Sequence, residues 1–400
     1  MPGVRHDAGL QTLVDALHGR GDLPALAVAV LDPGSDVVAW AGAGQATAAH
    51  LRFRIASVTK AAMALTAHRL AADGVLTLDE AIGGGAAVAD LLSHTAGLPL
   101  ELPGVDWLTQ PPADASALGA LLAEHAHPAG RSPFRYSNTG FWLLGDVLSR
   151  ATGAGTEELV GETLGALSHV TGVGFTEPDL RGHLVTPRGR TVPSVARFAA
   201  PRHPSGGLTG DLASVAWLGR GLLAAVARFP ALGEERAAIA EGWGWTAGLE
   251  RWSTAGRVLL GHAGSWGGTR TQLVLDPADG RVAVAAVTSH AGGPALRALL
   301  GAIGLPPASP ERAAAVAPGP LPFGAFQDGP DQATLRPDPH DAGIVLLEEA
   351  AAGGVQRGRL LDAGLARLLD GPHAGEAVTT SPGGAVLRVG VRSLDRTAAA

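Results

Sequence analysis

Segments with strand character lie on both sides of a long helical stretch, and that distribution constrains the fold more than any other feature of the chain. Ala25 to Leu31 and Val37 to Trp40 are short apolar runs around an Asp32-Pro33-Gly34 turn, followed by a third extended piece at Phe53 to Ile55. The period then changes: Ser57 to Ala72 contains no Gly or Pro, and Gly74 stands where a helix would end. Further helical runs are expected at Ala87 to Leu92, Ala117 to His125, Thr139 to Arg150, Thr156 to Leu167 and Leu212 to Phe229. Strands return at Gly244 to Arg251, Arg257 to His262, Thr271 to Leu275 and Val282 to Val287, the last two joined around Asp279-Gly280. A helix from Pro294 to Ile303 closes the unit, and Met1 to Gly19 is expected to be an amphipathic helix with Leu10, Leu13, Val14 and Leu17 on one face. This is the pattern of an α+β unit whose two ends share one antiparallel sheet around an all-α insert.

The organisation expected is therefore a catalytic-size unit over residues 1–304, a Pro-rich linker over 305–325 and a small β-rich module over 326–400, near the lower limit for an independent core. With 46% apolar residues the chain can bury a large core. Its net charge of −7, with both signs interleaved, argues against nucleic-acid binding. No apolar run approaches the ~18 residues of a membrane span, and Met1 to Gly19 lacks a secretory apolar stretch. A cytoplasmic protein is expected. The absence of Cys removes thiol chemistry and leaves Ser, Lys, His and carboxylates as reactive groups.

Three residues are used once each: Lys60, Tyr136 and Asn138. Lys60 stands three after Ser57, so on a helix the ammonium reaches the hydroxyl, and Ser57 falls where helix N–H groups are unpaired. Arg would fail at position 60, because a guanidinium does not give up its proton whereas a Lys can. Tyr136 and Asn138 flank Ser137. Chance places the single Lys three after a Ser about 4% of the time and the single Asn two after the single Tyr roughly once in 400. A phenol can relay a proton, and the Asn amide can hold Lys60, bind a substrate carbonyl or cap the following helix. A third element, Gly261-His262-Ala263-Gly264-Ser265-Trp266, ends a strand; Gly264 would let a substrate backbone come close, and an N–H just beyond it could serve an oxyanion.

In this order the three elements resemble the penicillin-recognising serine hydrolases: class C β-lactamases, D-alanyl-D-alanine carboxypeptidases, family VIII esterases and penicillin-binding-protein-type thioesterases. That family's sets are Ser-x-x-Lys, Tyr-x-Asn and Lys-Thr-Gly or His-x-Gly, matched by Ser57 to Lys60, Tyr136 to Asn138 and His262 to Gly264. The flanking Phe53-Arg54-Ile55-Ala56 and Leu91-Leu92-Ser93-His94-Thr95-Ala96-Gly97-Leu98 look similar too, and the resemblance covers about residues 8 to 304. It implies a β-lactamase/transpeptidase-like fold in which Ser57 attacks a carbonyl with Lys60 and Tyr136 as general base. It further implies an oxyanion hole from the backbone N–H groups of Ser57 and Ser265, a substrate-side role for Asn138, Gly264, Ser265 and Trp266, and His262 bonded to Tyr136 or a substrate group.

His262 stands where β-lactamases carry Lys, which weakens recognition of a β-lactam carboxylate. His94 reads as a structural residue at a helix end. Glu124-His125-Ala126-His127 reads as a solvated turn, so no metal and no cofactor are expected. Trp243, Trp245, Trp252 and Trp266 line an acyl pocket or pack strands. The absence of Gly-x-Ser-x-Gly counts against an α/β-hydrolase. The expected function is a hydrolase of a small-molecule ester or peptide-like amide. The alternative is a thioesterase or acyltransferase that releases or cyclises a peptidyl thioester from a carrier protein, and a non-catalytic binding protein ranks last.

Overall fold

The computed structural model describes residues 3–19, 23–102, 115–125, 131–185, 191–194, 203–240, 242–254, 256–306, 324–328, 331–341, 344–349, 354–362, 365–368, 377–380, 386–389 and 392–396. The Pro-rich stretch at 307–323 and His127 lie outside them.

The chain opens with β1 (Gly3–His6), α1 (Ala8–His18), β2 (Ala25–Leu31) and β3 (Val37–Gly44). It continues through β4 (Phe53–Arg54), α2 (Thr59–Ala72), the two-stranded pair β5 (Ala81–Gly83) and β6 (Ala86–Ala87), and α3 (Val88–Leu92). The helical middle is completed by α4 (Ala115–His125), α5 (Asn138–Thr152), α6 (Thr156–Gly165), α7 (His203–Gly206) and α8 (Leu212–Arg228), with a small pair β7 (His183–Val185) and β8 (Thr191–Pro193). The two-residue strand β9 (Thr209–Gly210) pairs with β4 and brings residue 209 beside residue 54. Strands then resume: β10 (Ala237–Ala240), β11 (Trp243–Trp245), β12 (Glu250–Thr254), β13 (Arg257–Trp266), β14 (Thr269–Asp276) and β15 (Arg281–Val287), followed by α9 (Gly293–Ala302).

These ends meet in one nine-stranded sheet of order β1-β3-β2-β15-β14-β13-β12-β11-β10. β15 lies antiparallel to β2, with Val284 opposite Ala29, so strands far apart in sequence share the sheet's centre. β2 is buried at every position, which follows from helices covering both faces. On one face Val28, Val30, Val274 and Ala285 pack with Val14 of α1 and Leu299 of α9. On the other, Leu273, Leu275, Val282 and Val284 pack with Met63 of α2 and Leu218 and Leu222 of α8. The first 19 residues depart from a single helix: β1 pairs parallel with β3, and Asp7 caps α1 by accepting from Leu10 N–H at 3.0 Å.

The C-terminal strands are β16 (Gly324–Asp328), β17 (Asp331–Pro337), β18 (Ile344–Glu349), β19 (Gly354–Asp362), β20 (Leu365–Leu368), β21 (Ala377–Thr380), β22 (Val386–Val389) and β23 (Arg392–Arg396). They form a closed barrel, β16 pairing with both β17 and β23. In β17 the buried Ala333 and Leu335 alternate with the exposed Thr334 and Arg336, the two-residue period of a one-sided core. Closure leaves no open sheet edge, which is how so short a module can stand as a β-structure.

Candidate active site

Ser57 sits on a short 3-10 turn, Ala56 to Val58, that leads from β4 into α2. The helix proper starts only at Thr59, because Ala56 takes the left-handed backbone conformation, φ 47°. A non-glycine residue held there marks a turn fixed by its surroundings. Those surroundings are explicit: Ile55 N–H donates to Leu208 O at 3.1 Å, and Thr59 Oγ1 accepts from Leu208 N–H at 3.1 Å. Gly264 of β13 presses against the same turn. A Cβ there would collide with Ile55 O and come within 3.3 Å of Ser57 N. The space beside Gly264 is thus filled by the chain's own backbone, where the sequence suggested a substrate. Ser57 itself is half-buried and reachable.

Lys60 is fully buried, and three oxygen atoms surround its Nζ: Ser57 Oγ at 3.1 Å, Asn138 Oδ1 at 2.7 Å and Ser205 O at 2.6 Å. Three acceptors match the three hydrogens of an ammonium, so the buried charge is compensated. Nζ also lies 4.9 Å from the centre of the Tyr136 ring. The carbonyl of Ser205 is held in place on α7, whose Ser205 Oγ accepts from Trp142 Nε1 at 2.9 Å.

Tyr136 is buried, and Ser57 is among the polar side chains that act on its phenol. Burial raises its pKa above the ordinary phenol value, and the charges of Glu250 and Glu101 add to this. The phenol therefore stays protonated near neutral pH. Ser137, not Asn138, caps α5: its Oγ accepts from Gly140 N–H at 2.8 Å. That leaves the Asn138 amide free to bridge, its Oδ1 taking Lys60 and its Nδ2 donating to Glu101 Oε1 at 2.9 Å.

His262 lies on β13 opposite Leu273, 1% exposed, with its ring 6.4 Å from that of Tyr136 and 5.2 Å from that of Trp245. Its Nδ1 donates to Ala263 O at 2.6 Å, so Nε2 carries the lone pair, buried and without a hydrogen-bond partner among the described residues. Burial, reinforced by the Lys60 charge, lowers its pKa to about 3, and the imidazole is neutral. Ser265 and Trp266 follow on the same strand, Ser265 exposed and Trp266 half-buried, paired with Arg270 and Thr269. Trp243, Trp245 and Trp252 form part of one buried cluster with Tyr136 and Phe134, which is packing in the sheet face.

The structure thus gathers Ser57, Tyr136 and Asn138 around Lys60 Nζ and sets His262 against Tyr136. Among the described residues no group of three His, Asp or Glu could hold a metal, and no helix is long and apolar enough to cross a membrane. Several contributors carry no motif signal. Glu101 and the Ser205 carbonyl are a side chain and a backbone group brought in by tertiary contact. Glu250 of β12 is a buried carboxyl that accepts from Trp243 Nε1 at 2.8 Å, and burial raises its pKa to about 7. His94, read as a helix-end residue, lies against the Tyr136 ring, tilted by 31°.

The beta-lactamase family model matches residues 10–306. No curated protein matches the sequence. Among solved structures, SurE aligns with a TM-score of 0.70 at 24% identity, covering 97% of this chain and 98% of SurE. The D-amino acid amidase from Ochrobactrum anthropi SV3, complexed with L-phenylalanine amide, aligns at 0.63 and 21% identity, covering 74% of this chain and 97% of the amidase. The octameric penicillin-binding protein homologue from Pyrococcus abyssi aligns at 0.62 and 19% identity, covering 95% and 94%. At these identities the likeness is one of fold.

Proposed function

The chain belongs to the beta-lactamase family and is a serine hydrolase, and from that premise we propose that it acts through an acyl-enzyme on an ester or amide whose acyl part ends in a D-amino acid. The observation that carries the reading is the convergence of Ser57 Oγ and Asn138 Oδ1 on Lys60 Nζ, which also lies 4.9 Å from the centre of the Tyr136 ring. With Nζ deprotonated, two N–H groups stay on Asn138 and Ser205, and the lone pair faces the Ser57 hydroxyl. Ser57 Oγ then bonds to the substrate carbonyl carbon while its proton passes to Nζ. As the bond to the leaving group breaks, the Tyr136 hydroxyl gives that group its proton and takes one back from Lys60. The backbone N–H groups of Ser57 and Ser265 serve the oxyanion, an effect of about 2.7–4 kcal/mol per donor. Asn138 and Trp266 are assigned to the substrate side in this reading, whereas Gly264 packs against the backbone of the Ser57 turn. Water attacks the acyl-enzyme by the reverse proton route.

The D-configuration rests on the relatives: SurE has been crystallised with D-Leu, the amidase, itself crystallised with both D- and L-phenylalanine, is named for D-amino acids, and a D-stereospecific amidohydrolase from Streptomyces sp. shares the fold. A second reading, release or cyclisation of a peptidyl thioester delivered by a carrier protein, is favoured by the closed barrel at 324–396. Two relatives, SurE and the Pyrococcus protein, cover nearly the whole chain, whereas the amidase covers 74% of it. This reading takes residues 1–304 as the catalytic unit and the barrel as the appended module, whose first strand begins at Gly324, two residues before the expected boundary at 326. Intact mass after incubation with p-nitrophenyl acetate is expected to show one acyl adduct, absent in Ser57→Ala; an unmodified wild-type protein would overturn both readings. D- and L-phenylalanine amide then test the configuration, and a peptidyl thioester mimic ending in a D-residue, scored for cyclic against linear product, separates the first reading from the second.

A further inference from the structure

His94 holds Tyr136 from three directions. Its backbone carbonyl accepts from Arg135 N–H at 2.8 Å, and its ring Nδ1 accepts from Ser137 N–H at 3.0 Å. The backbone N–H groups of Arg135 and Ser137, the residues on either side of Tyr136, are therefore tied to one residue. The imidazole also lies against the phenol ring, centroids 4.3 Å apart at 31°. It is wedged there by Phe134, Phe141 and Trp245, whose ring centroids stand 5.8, 5.3 and 4.9 Å from its own. His94 is 2% exposed and takes a left-handed backbone conformation, φ 57°. A non-glycine residue keeps such a conformation where its surroundings fix it, often beside a functional group. Ser137 is also the N-cap of α5, so the same bond fixes the helix start that presents Asn138 to Lys60.

We infer that His94 is the positioning residue of Tyr136, a two-sided backbone clamp with a ring stop that sets the phenol hydroxyl against Ser57. The bond from Ser137 N–H requires a lone pair on Nδ1, so the clamp works only with a neutral ring carrying its proton on Nε2. The proposal rests on the acyl-enzyme reading for what Tyr136 does, and its geometric part can be tested without turnover.

Two variants isolate the clamp. His94→Asn keeps an acceptor near the position of Nδ1 and tolerates positive φ, whereas His94→Ala removes acceptor and ring together. Acylation is read as single-turnover p-nitrophenol release. His94→Asn is expected within about tenfold of wild type, and His94→Ala at least about tenfold slower than His94→Asn, because small misplacements of a reacting group cost up to about 100-fold. Adding His94→Ala to Tyr136→Phe is expected to cost nothing further. Equal rates for the two His94 variants, or the same loss in the Tyr136→Phe background, would overturn the inference. Should His94→Ala fail to fold, His94→Asn decides alone: a loss greater than about tenfold overturns it. Because the chain has one Tyr, ring-labelled tyrosine gives one NMR signal set, expected to move in both variants. An unmoved signal shows that His94 does not hold Tyr136, whether or not the protein acylates. A missing adduct on Ser57 with a shifted tyrosine signal instead refutes the enzymatic reading and leaves the clamp standing.

Discussion

Lys60 Nζ donates to Asn138 Oδ1 at 2.7 Å, tying the first turn of α2 to the first residue of α5. The bond joins two of the residues that the chain uses only once, and its geometry explains why neither has a substitute. Lys60 must fit a point donor among three oxygens, and Asn138 must offer an acceptor to Lys60 while donating to Glu101.

Lys60→Arg tests the first half of that statement. A planar guanidinium cannot point single hydrogens at Ser57, Asn138 and Ser205 together, nor can it accept the Ser57 proton. The acylation burst with p-nitrophenyl acetate is expected to slow by about 100-fold to 10,000-fold, the range of a lost general base. Burst kinetics within tenfold of wild type would show that Lys60 is not the base.

Glu250→Gln tests the buried carboxyl of β12. Its pKa is raised from 4.5 to about 7 in the folded protein, with burial the first cause. The folded state thus binds the proton more tightly than the unfolded state. Stability from this group is fully present below about pH 4.5 and is lost as pH rises through about 7. Gln can still accept from Trp243 Nε1 and never ionises. The variant is expected to melt with wild type at pH 4.5 and above it at pH 8, by an amount on the order of 3 kcal/mol. Equal melting temperatures at pH 8 would show that Glu250 does not resist ionisation.

The division into a shared sheet and a helical insert was legible because strand and helix periods differ, and β2 and β15 pair as the pattern of the two ends implied. Ser57, Lys60, Tyr136 and Asn138 stood out through rarity and spacing. Glu101 and the Ser205 carbonyl did not, since nothing in a sequence marks the residue 37 positions away that will meet an amide, or which backbone oxygen will meet a lysine. The first 19 residues were misread as one helix because β1 is held only by a parallel partner 34 residues later, a contact with no local signal. His94 looks structural in the sequence because its helix-end place is local, whereas its contact with the Tyr136 ring is tertiary.

His262 gives an acid-side prediction of opposite sign to that of Glu250. Its pKa is lowered from 6.5 to about 3, so the unfolded chain binds its proton first. Stability from keeping this ring neutral is present above about pH 6.5 and falls as pH drops toward 3. His262→Gln, which cannot be protonated, is expected to flatten the decline in melting temperature between pH 6.5 and 4. A variant whose acid profile parallels wild type would assign that decline to other groups.

Gly264→Ala tests the contact between β13 and the Ser57 turn. The added methyl would meet Ile55 O and approach Ser57 N to 3.3 Å, and both neighbours are backbone atoms that no rotamer change can move. Ile55 is anchored by its own N–H to Leu208 O at 3.1 Å, and β13 is paired to β14 from Leu260 to Trp266, so neither side yields cheaply. Overpacking of this kind typically costs about 1–3 kcal/mol, and here the strain falls on the turn that aims Ser57. Because Ser57 N is also the proposed oxyanion donor, a shift of a few tenths of an ångström is expected to lower acylation by at least about 100-fold, the loss that follows removal of one such donor. A folded Gly264→Ala with wild-type acylation would show that the turn tolerates displacement and that the close approach at residue 264 serves packing alone.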